Sequence, residues 1–170
     1  MSNSLTEEAA ADLEIERKFL VAELPDLAGL KSVDVAQGYL THSDDSVEIR
    51  LRRKASGGTA NFFMTLKSDG ALERKEIEVA VSAEQFESFW PATAGRQIEK
   101  TRYVGALDHG LHYELDVFHG GLKGLLLVEV EFPSVEAANR FKAPAWFGED
   151  VTGNKGYKNK ALAVKGMPQT

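Results

Sequence analysis

The sequence predicts an α+β protein: a closed eight-stranded antiparallel β-barrel, forming a tunnel, with helices packed on the outside. Three observations lead there. Short segments alternate apolar and polar residues with period two, and clusters of Gly, Asp, Ser and Pro separate them. The polar faces carry charges, where an ordinary solvated sheet face would also carry Thr, Ser, Gln and Asn. Residues 1–11 read as a flexible polar tail, ahead of one domain over residues 12–170.

The strands are expected over Leu13 to Val21, Val35 to Thr41, Val47 to Lys54, Asn61 to Lys67, Leu72 to Val81, Arg96 to Gly105, Leu111 to Phe118 and Leu125 to Phe132. Ala55 to Thr59 reads as a loop at the mouth of the tunnel. Ser82 followed by Gln85 is a capping-box signature, opening a helix in which Phe86, Phe89 and Trp90 share a face until Pro91 stops it. Ser134 caps a second helix through Phe141. Ala161, Leu162 and Val164 mark a third, after the turn-like stretch from Gly153 to Gly156. Trp90 and Trp146 read as packing residues.

Side chains two apart on a strand point the same way. Glu14, Glu16 and Lys18 therefore oppose Ile15 and Phe19, and Glu48, Arg50 and Arg52 oppose Val47, Ile49 and Leu51. Arg74, Glu76 and Glu78 oppose Ile77 and Val79. His112, Glu114 and Asp116 oppose Tyr113, Leu115 and Val117, while Glu129 and Glu131 oppose Val128, Val130 and Phe132. In the sixth strand Ile98 and Val104 share a face with Lys100 and Arg102. A barrel whose apolar outer face is covered would turn these charges inward. Buried charges without partners cost several kcal/mol each, so such a lumen must hold water, metal and an anion.

Carboxylate oxygens from Glu14, Glu16, Asp116, Glu129 and Glu131 suit a hard cation, Mg²⁺ or Mn²⁺. Arg50, Arg52, Lys67, Arg74 and Arg102 suit phosphate oxygens. The chain has no GxxxxGK[ST] loop and no Cys, which excludes a P-loop enzyme and a thiolate metal site. Its four His residues lack ligand spacing. A net charge of -6 argues against nucleic acid and anionic membrane as partners. With no apolar run of spanning length and no signal-peptide pattern, a cytoplasmic location is expected.

The motifs EIERKFLV at Glu14 to Val21, QGYL at Gln37 to Leu40, EIRLR at Glu48 to Arg52 and MTLKS at Met64 to Ser68 resemble those of the CYTH domain, in the triphosphate tunnel metalloenzyme superfamily. EKTRY at Glu99 to Tyr103, ELDVF at Glu114 to Phe118, VEVEF at Val128 to Phe132 and YKNKAL at Tyr157 to Leu162 extend the likeness over nearly the whole chain, nearest to the small bacterial inorganic triphosphatases. The resemblance implies an eight-stranded tunnel, dependence on Mg²⁺ or Mn²⁺ and a triphosphate substrate. It implies metal ligation by Glu14, Glu16, Glu129 and Glu131 with Glu114 and Asp116 close by. It also implies phosphate contacts from Lys18, Arg50, Arg52, Lys67, Arg74 and Arg102, a catalytic pair in Lys100 and Tyr39, and a phosphate role for Lys155 and Lys158 in a closing C-terminal helix.

The function expected is metal-dependent hydrolysis of tripolyphosphate to pyrophosphate and phosphate. The other readings on the same fold are a thiamine triphosphatase, a class IV adenylate cyclase and a non-catalytic polyphosphate-binding module. Oligomeric state has no signal in the sequence.

Overall fold

The computed structural model describes residues 15–68 and 76–169. The expected tail and the expected site residues Glu14 and Arg74 lie outside the described residues. Nine strands form one antiparallel sheet: β1 (Ile15–Val21), β2 (Lys31–Tyr39), β3 (Val47–Ser56), β4 (Thr59–Ser68), β5 (Glu76–Val81), β6 (Gln97–Ala106), β7 (His112–Phe118), β8 (Leu126–Phe132) and β9 (Phe147–Asp150). Their order is β5-β4-β3-β2-β6-β7-β8-β1-β9. Each of the eight expected strands has a counterpart among the described residues; the expected starts at Leu13 and Leu72 lie outside them, and the other ends differ by up to a few residues.

The closed barrel is not. The sheet curls but stays open, with β5 at one edge and β9 at the other. The physical reason is the occupancy of β1. One of its edges bonds β8 from Ile15 to Leu20, and the other takes β9 at Phe19 and Val21, where an eight-stranded barrel would have placed the closing strand. The ninth strand reads FGED, four residues with no alternation to reveal it. Arg17 pins it from the outer face, with its Nη2 and Nε donating to Asp150 Oδ2 at 2.7 and 3.1 Å. Ala55 to Thr59 is also tighter than a loop. Ser56 pairs with Thr59, and only Gly57 and Gly58 remain in the turn, with φ of 58° and 81°. Successive positive φ values make a two-residue hairpin that glycine enters without strain.

Two apolar clusters cover the two faces. On the outer face Phe19, Leu115, Val128, Val130 and Phe132 pack with Phe147 and with Ala138 of α2 (Val135–Arg140). Trp146 joins them edge-on against Tyr113 and Phe147. Farther along, α1 (Ala83–Phe89) opens on the expected Ser82–Gln85 capping box and lays Phe86 between Phe62 and Trp90. The second cluster sits on the charged face. There Tyr39, Ile98, Phe118 and Leu127 meet Leu162 and Ala163 of α3 (Asn159–Lys165). The expectation of helices only on the outside therefore fails for α3. Its apolar side has no other surface to cover, because one end of the inner face is itself apolar.

β6 keeps an unbroken register against both β2 and β7, so Ile98, Lys100, Arg102 and Val104 stay on one face. Gly105 of β6 lies opposite Tyr113, whose buried ring occupies the space a Cβ would need. Gly105→Ala should force that ring aside and lower stability by about 1–3 kcal/mol in urea unfolding; an unchanged midpoint would show that the ring relocates freely.

Candidate active site on the charged face

Strand register brings the charged residues of distant segments onto one face. Gln37 pairs with Arg52 and Tyr39 with Arg50; Arg50 pairs in turn with Thr65, and Thr65 with Glu78. Arg52 Nη2 donates to Glu78 Oε2 at 2.8 Å, and Thr65 Oγ1 donates to the same oxygen at 2.8 Å while accepting from Arg50 Nη2 at 3.3 Å. Burial alone would raise the Glu78 carboxyl, but the Thr65 hydrogen bond and the Arg52 charge outweigh it and lower the pKa. Burial, reinforced by Arg50, lowers that of Arg52. The Nε atoms of Arg50 and Arg52 are buried and have no hydrogen-bond partner among the described residues. Orphaned buried donors are rare, and two on neighbouring guanidiniums aimed at one face ask for an anion.

Across the sheet, Asp116 is 2% exposed and held by two cations. Lys100 Nζ donates to its Oδ2 at 2.5 Å, while Arg102 grips both oxygens through Nε at 2.7 Å and Nη2 at 2.8 Å. Arg102 also donates to Glu114 through Nη1, and its Nη2 lies 3.6 Å from Glu129. Lys18 Nζ lies 2.9 Å from the other oxygen of Glu129. Burial by itself would lower Arg102, yet its bonds to Asp116 and the surrounding carboxylates raise it. Burial lowers Lys100 despite the attraction of Asp116. Asp116 stays ionised: burial would raise its pKa, but Lys100 and Arg102 together lower it.

These groups surround two adjoining cavities. A basic one of about 240 Å³ is lined by Arg50, Arg52, Lys54, Lys100 and Arg102, over a floor of Val33, Val35 and Gln37. An acidic one of about 130 Å³ is lined by Glu16, Glu114, Glu129, Glu131 and His112. Val104 and Glu114 border both. Four carboxylates around one small cavity are the donor chemistry of a hard divalent cation, so the residues fit Mg²⁺ or Mn²⁺. Among the described residues, no three acidic or imidazole groups already stand close enough to hold one. Glu129 and Glu114 are turned instead toward Lys18 and Arg102.

The remaining expected residues take distinct places. Tyr39 is 2% exposed, and its hydroxyl accepts from Gln37 Nε2 at 2.7 Å. Burial pushes its pKa up to about 12. Tyr39 and Lys100 are thus held by different partners. Lys67 reaches Glu76 at 3.3 Å, near the open β5 edge. Lys155 and Lys158 are exposed on the turn that enters α3. Their neighbours approach the site instead: Asn159 Oδ1 lies 3.4 Å from Lys100 Nζ, and Lys160 lies 3.2 Å from Glu48. Lys18 also donates to the Tyr157 carbonyl at 3.2 Å.

The sequence reading assigns no role to Lys54, Gln37, Thr65, Asn159 and Lys160, and it puts Glu78 on the charged face without its partners Arg52 and Thr65. The same alternation that selected Arg50 and Arg52 would have extended to Lys54. Asn159 had no signal beyond its neighbours. Among the four His residues, His112 borders the acidic cavity, and His119 Nε2 lies 2.8 Å from Thr101 on the other side of the sheet.

A curled antiparallel sheet whose inner face sets guanidiniums and ammoniums beside carboxylates defines a protein that grips a small, multiply charged anion. The chain belongs to the CYTH family of triphosphate tunnel metalloenzymes, among the inorganic triphosphatases. It is 56% identical over 151 residues to the inorganic triphosphatase of Nitrosomonas europaea, covering 89% of this chain and 97% of that one. The inorganic triphosphatase of Acetivibrio thermocellus is 31% identical over 88% of this chain and 92% of its own. A solved crystal structure of an inorganic triphosphatase superposes with a TM-score of 0.77 at 55% identity, covering 91% of this chain and 96% of that one. A Hippeastrum protein described as an adenylyl cyclase with dominant triphosphatase activity shares the fold at 16% identity and a TM-score of 0.50, over 75% of this chain and 83% of that one. No protein-family model matches the chain.

Asp116→Asn would leave Lys100 and Arg102 buried around a neutral amide and should cost about 3–5 kcal/mol at pH 7. Because the folded-state pKa of Asp116 is depressed, its stabilisation is present above the unfolded carboxylate value of about 3.9 and is lost as pH falls through the folded value. The gap between wild type and variant in urea unfolding should therefore narrow below about pH 4; equal stabilities at pH 7 would refute the charge-pairing assignment.

Proposed function

We infer that the chain is an inorganic triphosphatase that uses Mg²⁺ or Mn²⁺ to hydrolyse tripolyphosphate to pyrophosphate and phosphate on the inner face of its curled sheet. The observation that carries the reading is the 56% identity to an inorganic triphosphatase across nearly the whole of both chains. The unpaired Nε donors of Arg50 and Arg52, aimed at one face with Lys100 and Arg102, support it physically. The reaction adds a water oxygen to an end phosphorus while a bridging P–O bond breaks and pyrophosphate departs. Positioning and charge neutralisation account for most of such a rate enhancement.

Each part of the site has a task in that reading. Arg50, Arg52 and Arg102 would present forked donors to phosphate oxygens, with Lys67 and Lys18 adding charge along the face and Arg74 a phosphate contact on the sequence match alone. Glu16, Glu129 and Glu131 would hold the divalent cation, joined on the sequence match alone by Glu14, with Glu114 and Asp116 close by. Bound there, the cation would neutralise substrate charge and acidify the attacking water. Substrate oxygens would draw Arg102 and Lys18 from Glu114 and Glu129, releasing these carboxylates toward the cation. Lys100, held by Asp116, would position the attacking water, while Tyr39, whose pKa burial raises, stays protonated and can donate a hydrogen bond. Lys155 and Lys158, exposed on the turn before α3, would add positive charge at the covered end of the face. Nucleic acid and membrane are not partners in this reading. A cytoplasmic setting belongs to the same proposal, in keeping with a chain that has no Cys to oxidise.

The thiamine and nucleotide readings need an aromatic platform, and no aromatic ring other than His112 borders either cavity among the described residues. Trp90 and Trp146 are engaged in packing. Phosphate release should therefore be fastest with tripolyphosphate in a panel that includes ATP and thiamine triphosphate; turnover of another triphosphate alone would overturn the assignment. Glu129→Gln should abolish turnover. Lys100→Ala should reduce kcat by about 10²-fold or more with a smaller change in KM; equal losses in both would reduce Lys100 to a phosphate contact.

A further inference from the structure

One imidazole stands among the four carboxylates of the acidic cavity, and the triphosphatase reading leaves it without a task. His112 opens β7 and lines that space of about 130 Å³ with Glu16, Glu114, Glu129 and Glu131. Spacing along the chain hides it as a ligand candidate, because the groups beside it come from other strands.

Register supplies what spacing does not. Side chains two apart on β7 point the same way, so His112 shares the inner face with Glu114 and Asp116. Glu114 lies opposite Glu129 of β8 and Tyr113 opposite Val130, so one further step of the ladder brings His112 level with Glu131. Glu131 in turn pairs with Glu16 of β1. Three adjacent strands thus set one imidazole and two carboxylates in a single row along the cavity wall. In the next row Glu114 and Glu129 are already engaged by Arg102 and Lys18. Neither His112 nor Glu131 has a hydrogen bond or ion pair among the described residues. A ring placed there only for the charge of its neighbours would pair with one of them; His112 pairs with none.

The two candidate cations respond differently to such a row. Mg²⁺ takes oxygen ligands and keeps several of its waters, so an imidazole adds little to its binding. A first-row transition ion accepts nitrogen and oxygen donors together, and imidazole is the commonest nitrogen donor a protein offers. We propose that His112 is a ligand of the cation held in the acidic cavity, beside Glu131 and Glu16, and that its nitrogen makes this site prefer Mn²⁺ to Mg²⁺. The inference rests on the metal-dependent reading of the cavity and chooses between its two cations. Glu16 and Glu131 serve either ion; His112 separates them.

The test measures Mn²⁺ and Mg²⁺ binding by calorimetry without substrate, for wild type and His112→Ala, together with electron spin-echo spectra of bound Mn²⁺. Wild type should bind Mn²⁺ more tightly and show nitrogen coupling from a directly bound imidazole. His112→Ala should lose that coupling and weaken Mn²⁺ about tenfold or more, at least what losing a group that merely orients a ligand costs, while Mg²⁺ weakens less than about threefold. No nitrogen coupling in wild type, coupling that survives in His112→Ala, or equal weakening of both cations would overturn the assignment. His112 is exposed, so its removal opens no gap in the core, and His112→Gln makes the same comparison should His112→Ala fail to fold. A wild type that shows the coupling yet releases no phosphate from tripolyphosphate with either cation would refute the triphosphatase reading and leave the ligand standing.

Discussion

A carboxylate with 2% exposure organises the inner face. Asp116 has lost its water, and an isolated buried carboxylate costs too much to remain ionised. Lys100 and Arg102 keep it charged from the neighbouring strand, and in return Asp116 fixes the orientation of both cations. The consequence travels outward. Because Arg102 is clamped by two bonds to Asp116, its remaining nitrogen can meet Glu114, and its reach extends to Glu129. The acidic and basic cavities therefore adjoin beside Arg102, at Val104 and Glu114, which border both.

Such a network is neutralised internally and yet exchangeable. Glu129 is shared between Lys18 and Arg102, two cations that phosphate oxygens could reclaim. On β3 the balance differs. Glu78 lies 2.8 Å from Arg52 and 3.9 Å from Arg50, and neither Nε donor has a partner among the described residues. A buried donor without a partner costs free energy that a bound anion returns. The β3 side is thus poised to receive an anion, whereas the β6 to β8 side must first give up internal bonds.

α3 joins the two sides. Asn159 approaches Lys100, Lys160 reaches Glu48, and the Tyr157 carbonyl takes a bond from Lys18. The helix is short, seven residues, and has no side-chain cap, so its place depends on these contacts and on Leu162 and Ala163 packed beneath it. Its position at one end of the cavity gives the inner face a covered end and an open one.

Alternation made the inner face legible in the sequence. Side-chain direction repeats every two residues, so Glu16 with Lys18, Arg50 with Arg52 and Glu129 with Glu131 could be assigned to one face without coordinates. The Ser82 cap was equally local. Closure was not legible, because whether β1 ends a sheet or bonds a ninth strand depends on backbone edges that no side-chain pattern reports. The four residues of β9 carry too little period to announce themselves. The pairing of charges was hidden for a related reason: Arg102 meets Glu114 and Asp116 only because β6 and β7 take one register among several that the turn could allow. The sequence by itself determined that this chain builds a charged sheet face suited to polyphosphate. Only the tertiary structure decided that the sheet stays open, that α3 covers the charged side, and which cation answers which carboxylate, since these depend on contacts between segments far apart in the chain.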